Sequence, residues 1–190
     1  MVKSLPDRYP SYKFNISQNS QAKPLPSDIL NNQSELERWE LSPGQPRLFS
    51  QYFNQMKDAW VDQIIIKDPW CGAGNNQVKQ LGLFVNEMSQ ICKKIKKINI
   101  VCKEQHYNNA SYLRQSVIKE MIEKELETIE ADKKINIRSF RNAKQFHDRT
   151  VTFKIIVENG ESEEYIYELT GGIDKLMDQN SETKIYYYRG

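Results

Sequence analysis

With 190 residues the chain has room for one domain with a sizeable core plus tails, and too little for two unless both are small. Hydrophobic residues at 38%, charged residues at 27% and ten tyrosines describe a chain that folds, which excludes the disordered and fibrous classes. Lys and Arg number 27 against 25 Asp and Glu, so the formal charge of +2 excludes a global electrostatic footprint for nucleic acid and leaves anion binding to local clusters.

The first 45 residues are broken by Pro6, Pro10, Pro24, Pro26 and Pro43 among Ser, Asn and Gln, and no helical or strand period persists. They read as an arm that docks on the domain or on a protein partner, with a short helical turn at Ser34–Trp39. The domain is expected over residues 46–190. Leu48, Phe49, Tyr52, Phe53, Met56 and Trp60 recur at helical spacing, and Val61–Ile66 is a short run rich in β-branched residues, the pattern of a buried strand. The strand ends in Asp68-Pro69-Trp70-Cys71-Gly72-Ala73-Gly74, where proline and two glycines forbid regular continuation.

Val78, Leu81, Val85, Met88, Cys92 and Ile95 form the stripe of an amphipathic helix, followed by a strand at Ile98–Cys102. The lysines of Lys93-Lys94-Ile95-Lys96-Lys97 invite a nucleic-acid or anionic-lipid reading, but as the end of that helix they suit its dipole. A third helix is expected over Ser111–Ala131, with Leu113, Val117, Met121, Leu126 and Ile129 on one side, and a third strand at Ile135–Arg138. Strands alternating with helices imply right-handed crossovers and a largely parallel sheet. The style then changes: Thr150–Val157 and Glu164–Leu169 alternate around Asn159-Gly160, a hairpin signal, and Lys184–Tyr188 is a terminal strand that could lie at a sheet edge.

No apolar run approaches the roughly 20 residues that span a bilayer, and no apolar signal segment follows Met1–Pro6, so a cytoplasmic protein is expected. Cys71, Cys92 and Cys102 lack CxxC spacing and have only His106 and His147 to join them; free cysteines, no metal and no cofactor are the expectation. His106 falls in the loop after the second strand, where α/β sheets place ligands, although a solvated histidine serves as well. Trp70, in the loop after the first strand, either stacks on a ligand base or caps the core.

The segment Phe146-His147-Asp148-Arg149-Thr150-Val151-Thr152-Phe153, followed one hairpin later by Leu169-Thr170-Gly171-Gly172-Ile173-Asp174-Lys175-Leu176, resembles the second part of a phospholipase D-like half-domain. There an H-x-K motif opens a strand and a G-[GS]-x-N turn follows. The nearest variants read F-H-D-R, as in the C-terminal domains of eukaryotic MIT-domain proteins and in bacterial phospholipase D-like proteins. The likeness covers roughly residues 47–190. It implies an α/β fold with a single phospholipase D-like half-domain, in which a parallel βαβαβ block is followed by a hairpin and a terminal strand in one mixed sheet flanked by helices.

In the family a histidine attacks phosphorus while lysine and asparagine neutralise the phosphoryl oxygens, and two motif copies meet at one site. A chain with one copy must form a two-fold homodimer to pair His147 with its counterpart. The motif is eroded here: Arg149 stands for lysine, Lys154 for the aspartate and Asp174 for asparagine. Arg149 still suits a phosphate, whereas Asp174 repels one unless paired, for instance with Arg149 itself. The resemblance therefore implies a recognition or scaffold domain whose phosphate site is His147, Arg149, Gly171, Gly172 and Asp174, with nucleic acid or anionic lipid headgroups as ligands. The alternative is a metal-independent nuclease or phosphodiesterase with His147 as nucleophile, which association ties to bacterial antiviral defence. The bland reading makes His147 a strand-entry histidine and Asp148-Arg149 an ordinary surface pair.

Overall fold

The computed structural model describes residues 35–103, 106–107, 111–112, 115–127, 134–140, 149–157 and 159–190. In chain order these form β1 (Glu35–Leu41), α1 (Phe49–Tyr52), a 3-10 turn (Asn54–Met56), β2 (Trp60–Lys67), α2 (Asn75–Ile91), β3 (Lys94–Ile95), β4 (Lys97–Lys103), β5 (His106–Tyr107) and β6 (Ser111–Tyr112). After them come α3 (Gln115–Leu126), β7 (Lys134–Phe140), β8 (Thr150–Ile156), β9 (Ser162–Leu169), α4 (Ile173–Met177) and β10 (Thr183–Arg189).

The chain is mixed α/β, with an eight-stranded mixed sheet in the order β1-β10-β9-β8-β2-β4-β7 and the short β3 beside β2. Strands β2, β4 and β7 are parallel, and β8 returns antiparallel to β2 with Ile64 opposite Phe153 and Ile66 opposite Val151. Two successive crossovers that advance the sheet in one direction put their helices on one face, because each crossover is right-handed. Accordingly α2 packs on α3, and the short α4 of the β9–β10 connection packs on α2 as well.

Period-2 patterning decides which face each strand residue takes. In β4, Ile98, Ile100 and Cys102 are fully buried, while Lys97, Asn99, Val101 and Lys103 occupy the other face. Val78, Leu81, Phe84, Val85 and Met88 of α2 cover the buried face, as the helical stripe predicts. Phe53 fills the adjoining space, with its ring 4.6 Å from that of Tyr167, 5.7 Å from Phe84 and 5.9 Å from Phe153.

Several expectations need correction. Residues 35–41, assigned to the arm and in part to a helical turn, are strand β1, paired antiparallel with β10 (Trp39 opposite Ile185). Leu41 is buried there, and Arg47 donates to the Asp178 and Ser181 carbonyls, so the compact unit begins at Glu35 and not at Pro46. It follows that β10 is interior, not an edge. The helix expected over Leu48–Trp60 reduces to α1 and one 3-10 turn, because Asp58 takes a left-handed φ of 59° and Trp60 already opens β2.

The third helix starts at Gln115; Ser111–Tyr112 instead pair with His106–Tyr107 as a small hairpin. Its buried face is Ile118, Ile122 and Leu126, while Val117 is exposed, since two overlapping stripes satisfy the same period and packing against the sheet chose the more aliphatic one. Helix α2 ends at Ile91 with Cys92 as its C-cap, so of the lysine run only Lys93 directly follows the helix end: Lys94 and the buried Ile95 form β3 and Lys97 opens β4. Among the described residues no helix is long and apolar enough to cross a membrane.

Candidate functional site

The parallel strands end on one side of the sheet, and there the sequence turns polar. Lys67 closes β2 opposite Thr150, the first residue of β8. Arg149 therefore stands beside the Asp68-Pro69-Trp70 loop, and its carbonyl accepts from Leu169 N–H at 2.7 Å, which brings the Thr170-Gly171-Gly172 turn alongside. Arg149 Nη1 donates to the Thr170 carbonyl at 3.0 Å.

Asp68 is the hub. Only 2% exposed, it accepts from Trp70 N–H through Oδ1 at 2.9 Å, a local Asx turn, and from Ile173 N–H through Oδ2 at 2.8 Å, across 105 residues of chain. Burial pushes its carboxyl above the ordinary carboxylate range and Asp174 adds to the push, while the two N–H donors and Arg149 pull it back. Gly172 has φ 84°, and a Cβ there would lie 2.8 Å from Asp68 Oδ2, 3.2 Å from Asp174 Oδ1 and 3.3 Å from Arg149 Cδ. The glycine is thus required both by its backbone and by the three side chains that close around it.

Arg149, Gly171, Gly172 and Asp174 come together at this point. Asp174 is ion-paired with Lys175 Nζ at 3.7 Å. Lys154, at the position of the motif's aspartate, pairs instead with Glu164 across the β8–β9 ladder at 3.2 Å. His147 and Asp148 lie outside the described residues. His106 belongs to β5, opposite Tyr112, and not to an open loop. Trp70 is 44% exposed with Lys103 Nζ 5.5 Å from its ring centroid, which rules out the core-cap role and leaves an aromatic face flanked by a cation beside the Asp68 loop.

Asp68 carries a weak sequence signal. The available signal was an acid at the end of an apolar strand, followed by Pro-Trp; its bond to Ile173 could not be read from a linear pattern. Cys71 and Cys102 are buried and free, and hydrogen bonding to Cys102, then burial, raises the Cys71 thiol. Among the described residues no group of three or more His, Cys, Asp or Glu side chains is placed to hold a metal ion.

A comparison of the chain with protein-family models finds no match, and neither does one with curated proteins.

Proposed function

We propose that this chain is a degenerate phospholipase D-like recognition domain that binds a phosphate-bearing group at Arg149 and acts as a two-fold homodimer. The observation that carries the reading is the meeting of Arg149, the Gly171-Gly172 turn and the Asp68–Trp70 loop where the parallel strands end. Open α/β sheets bind ligands at that end because strand termini and the loops beyond them converge there.

The local charge favours recognition over turnover. Arg149 and Lys175 are opposed by Asp68 and Asp174, so the cluster has little surplus positive charge with which to stabilise a phosphoryl group gaining negative charge in a transition state. The Arg149 guanidinium, anchored through Nη1 on the Thr170 carbonyl, keeps a full positive charge for a phosphate, and Trp70 with Lys103 offers an apolar face and a second cation nearby. The domain then serves as a docking part of a larger assembly, with residues 1–34 available to engage a protein partner.

Calorimetric titration with inorganic phosphate and with inositol phosphates tests this reading. Saturable binding that Arg149→Ala abolishes supports it, whereas unchanged binding in that variant defeats it. Turnover of a generic phosphodiester in EDTA, lost in His147→Ala, would replace recognition with the phosphodiesterase reading.

A further inference from the structure

The opposite end of the sheet, where the parallel strands begin, carries a second cluster of charge. Trp60 opens β2 and is 46% exposed, with Lys93 Nζ 5.2 Å and Lys94 Nζ 6.0 Å from its ring centroid. Lys94 lies opposite Trp60 in the β2–β3 register, and Ile156, also exposed, lies opposite it on β8. Lys96 follows, held at 3.0 Å to Asp62; then Lys97 opens β4 and Lys134, its register partner, opens β7. Neighbouring strands are about 4.8 Å apart. Lys93, Lys94, Lys96 and Lys97 thus follow one strand path beside β2, and Lys134 lies one strand further, with an exposed indole at the start of the row.

The row leads to a cavity of about 460 Å³ on the β4–β7 side of the sheet, to whose lining α3 contributes Lys119. Lys97 and Arg138 line it as cations, Ile65 and Val101 as apolar groups, and Asn99 and Asn136 as a bonded amide pair, with Asn136 Nδ2 donating to Asn99 Oδ1 at 2.9 Å. An amide pair bonded once keeps further donor and acceptor positions, and the volume falls within the range of small-ligand sites, large enough for a nucleobase.

We infer that this surface binds single-stranded nucleic acid, with the backbone along Lys93, Lys94, Lys97 and Lys134, one base stacked on Trp60 and one in the cavity against Asn99 and Asn136. A duplex keeps its bases stacked on each other and would leave both the indole and the cavity unused. An anionic bilayer calls for a wider apolar face to insert than Trp60 and Ile156 provide, and has no use for a recessed amide pair. The inference uses residues other than those of the Arg149 reading: Trp60 and the lysines lie toward the start of β2, and the cavity runs along β4 and β7 to Val101 and Arg138, level with Lys67.

Fluorescence anisotropy of a labelled oligothymidylate and its RNA counterpart, with the full chain at about 50 and about 200 mM salt, tests the proposal. Binding is expected that weakens with salt, falls about tenfold in Trp60→Ala, recovers in Trp60→Phe, and is lost in Lys93→Glu/Lys94→Glu. Asn136→Ala should alter the preference between oligothymidylate and oligoadenylate. All these side chains are at least partly exposed, and circular dichroism checks that the variants fold. Absence of binding at the lower salt, equal affinity for duplex, indifference to Trp60 and the lysines, or binding to phosphatidylserine vesicles in place of oligonucleotides would each overturn it.

Discussion

Gly172 takes φ 84° and ψ 173°, a region that side-chain-bearing residues enter at a cost of about 1–3 kcal/mol, and its neighbours leave no room for a methyl group. Gly172→Ala is expected to destabilise the fold by about 2–4 kcal/mol, measured as a lower urea midpoint at unchanged slope. An unshifted midpoint would show that Asp68 and Arg149 can withdraw cheaply. For Asp68 the prediction concerns pH. Burial raises the carboxyl in the native state, so the native state holds a proton over a range where the unfolded chain, near pH 3.9, has released it. That contribution is fully present below about pH 3.9 and is lost as pH rises through the raised native value. The stability of the wild type relative to Asp68→Asn should therefore decline above about pH 4 and then level off. Urea titrations from about pH 3 to about pH 7 read this directly; a flat difference would mean that the N–H donors and Arg149 cancel the effect of burial, and a rise with pH that they outweigh it. Because asparagine offers one acceptor to two N–H donors, the variant also carries a pH-independent cost of about 1–3 kcal/mol.

At the scale of elements, the most consequential strand is β1, which sequence patterning assigned to an arm. Glu35–Leu41 contains one proline-free alternation, with Trp39 and Leu41 facing inward and Arg38 and Glu40 outward, too short to stand out beside six prolines in the first 46 residues. Its pairing covers β10, whose Ile185 and Tyr187 are core residues. Leu41→Ala should cost about 2–4 kcal/mol. Removal of residues 1–45 should expose the tyrosine-rich β10 edge and promote aggregation, whereas removal of residues 1–34 should preserve the fold. Size-exclusion chromatography of the two truncations separates these outcomes, and a well-behaved 1–45 deletion would show that β1 is dispensable. Any test of partner binding through the arm therefore belongs at the Ser34–Glu35 boundary.

At the scale of the whole molecule, the proposed two-fold assembly predicts a light-scattering mass about twice the 22.4 kDa of one chain at micromolar concentration. A clean single-chain mass would remove both the dimer and any mechanism that shares His147 between subunits. Lys93 and Lys94 lie beside Trp60 at the start of β2 and Arg149 lies beyond its end, so charge reversal at the two lysines and truncation of Arg149 should act additively on ligands too short to span both. A strong departure from additivity would indicate one continuous surface.

Local patterning by itself determined much of this protein. The apolar runs at Val61–Ile66 and Ile98–Cys102, the stripe of α2 and the alternation of β8 and β9 each announce an element through side-chain period, because burial on one face is a local requirement that repeats along the chain. That Arg149 and the Gly171-Gly172 turn share a site was implied by the phospholipase D-like resemblance and not by any period in the chain. Only the tertiary structure decided that β1 completes the sheet beyond β10, which of two overlapping stripes α3 buries, and that most of the lysine run continues along β3 and β4 past Trp60. The same holds for Asp68, whose role rests on an N–H contributed by Ile173 far along the chain. Pairings between distant segments have no period in the sequence; they are set by which surfaces are left to be covered once the local elements have formed.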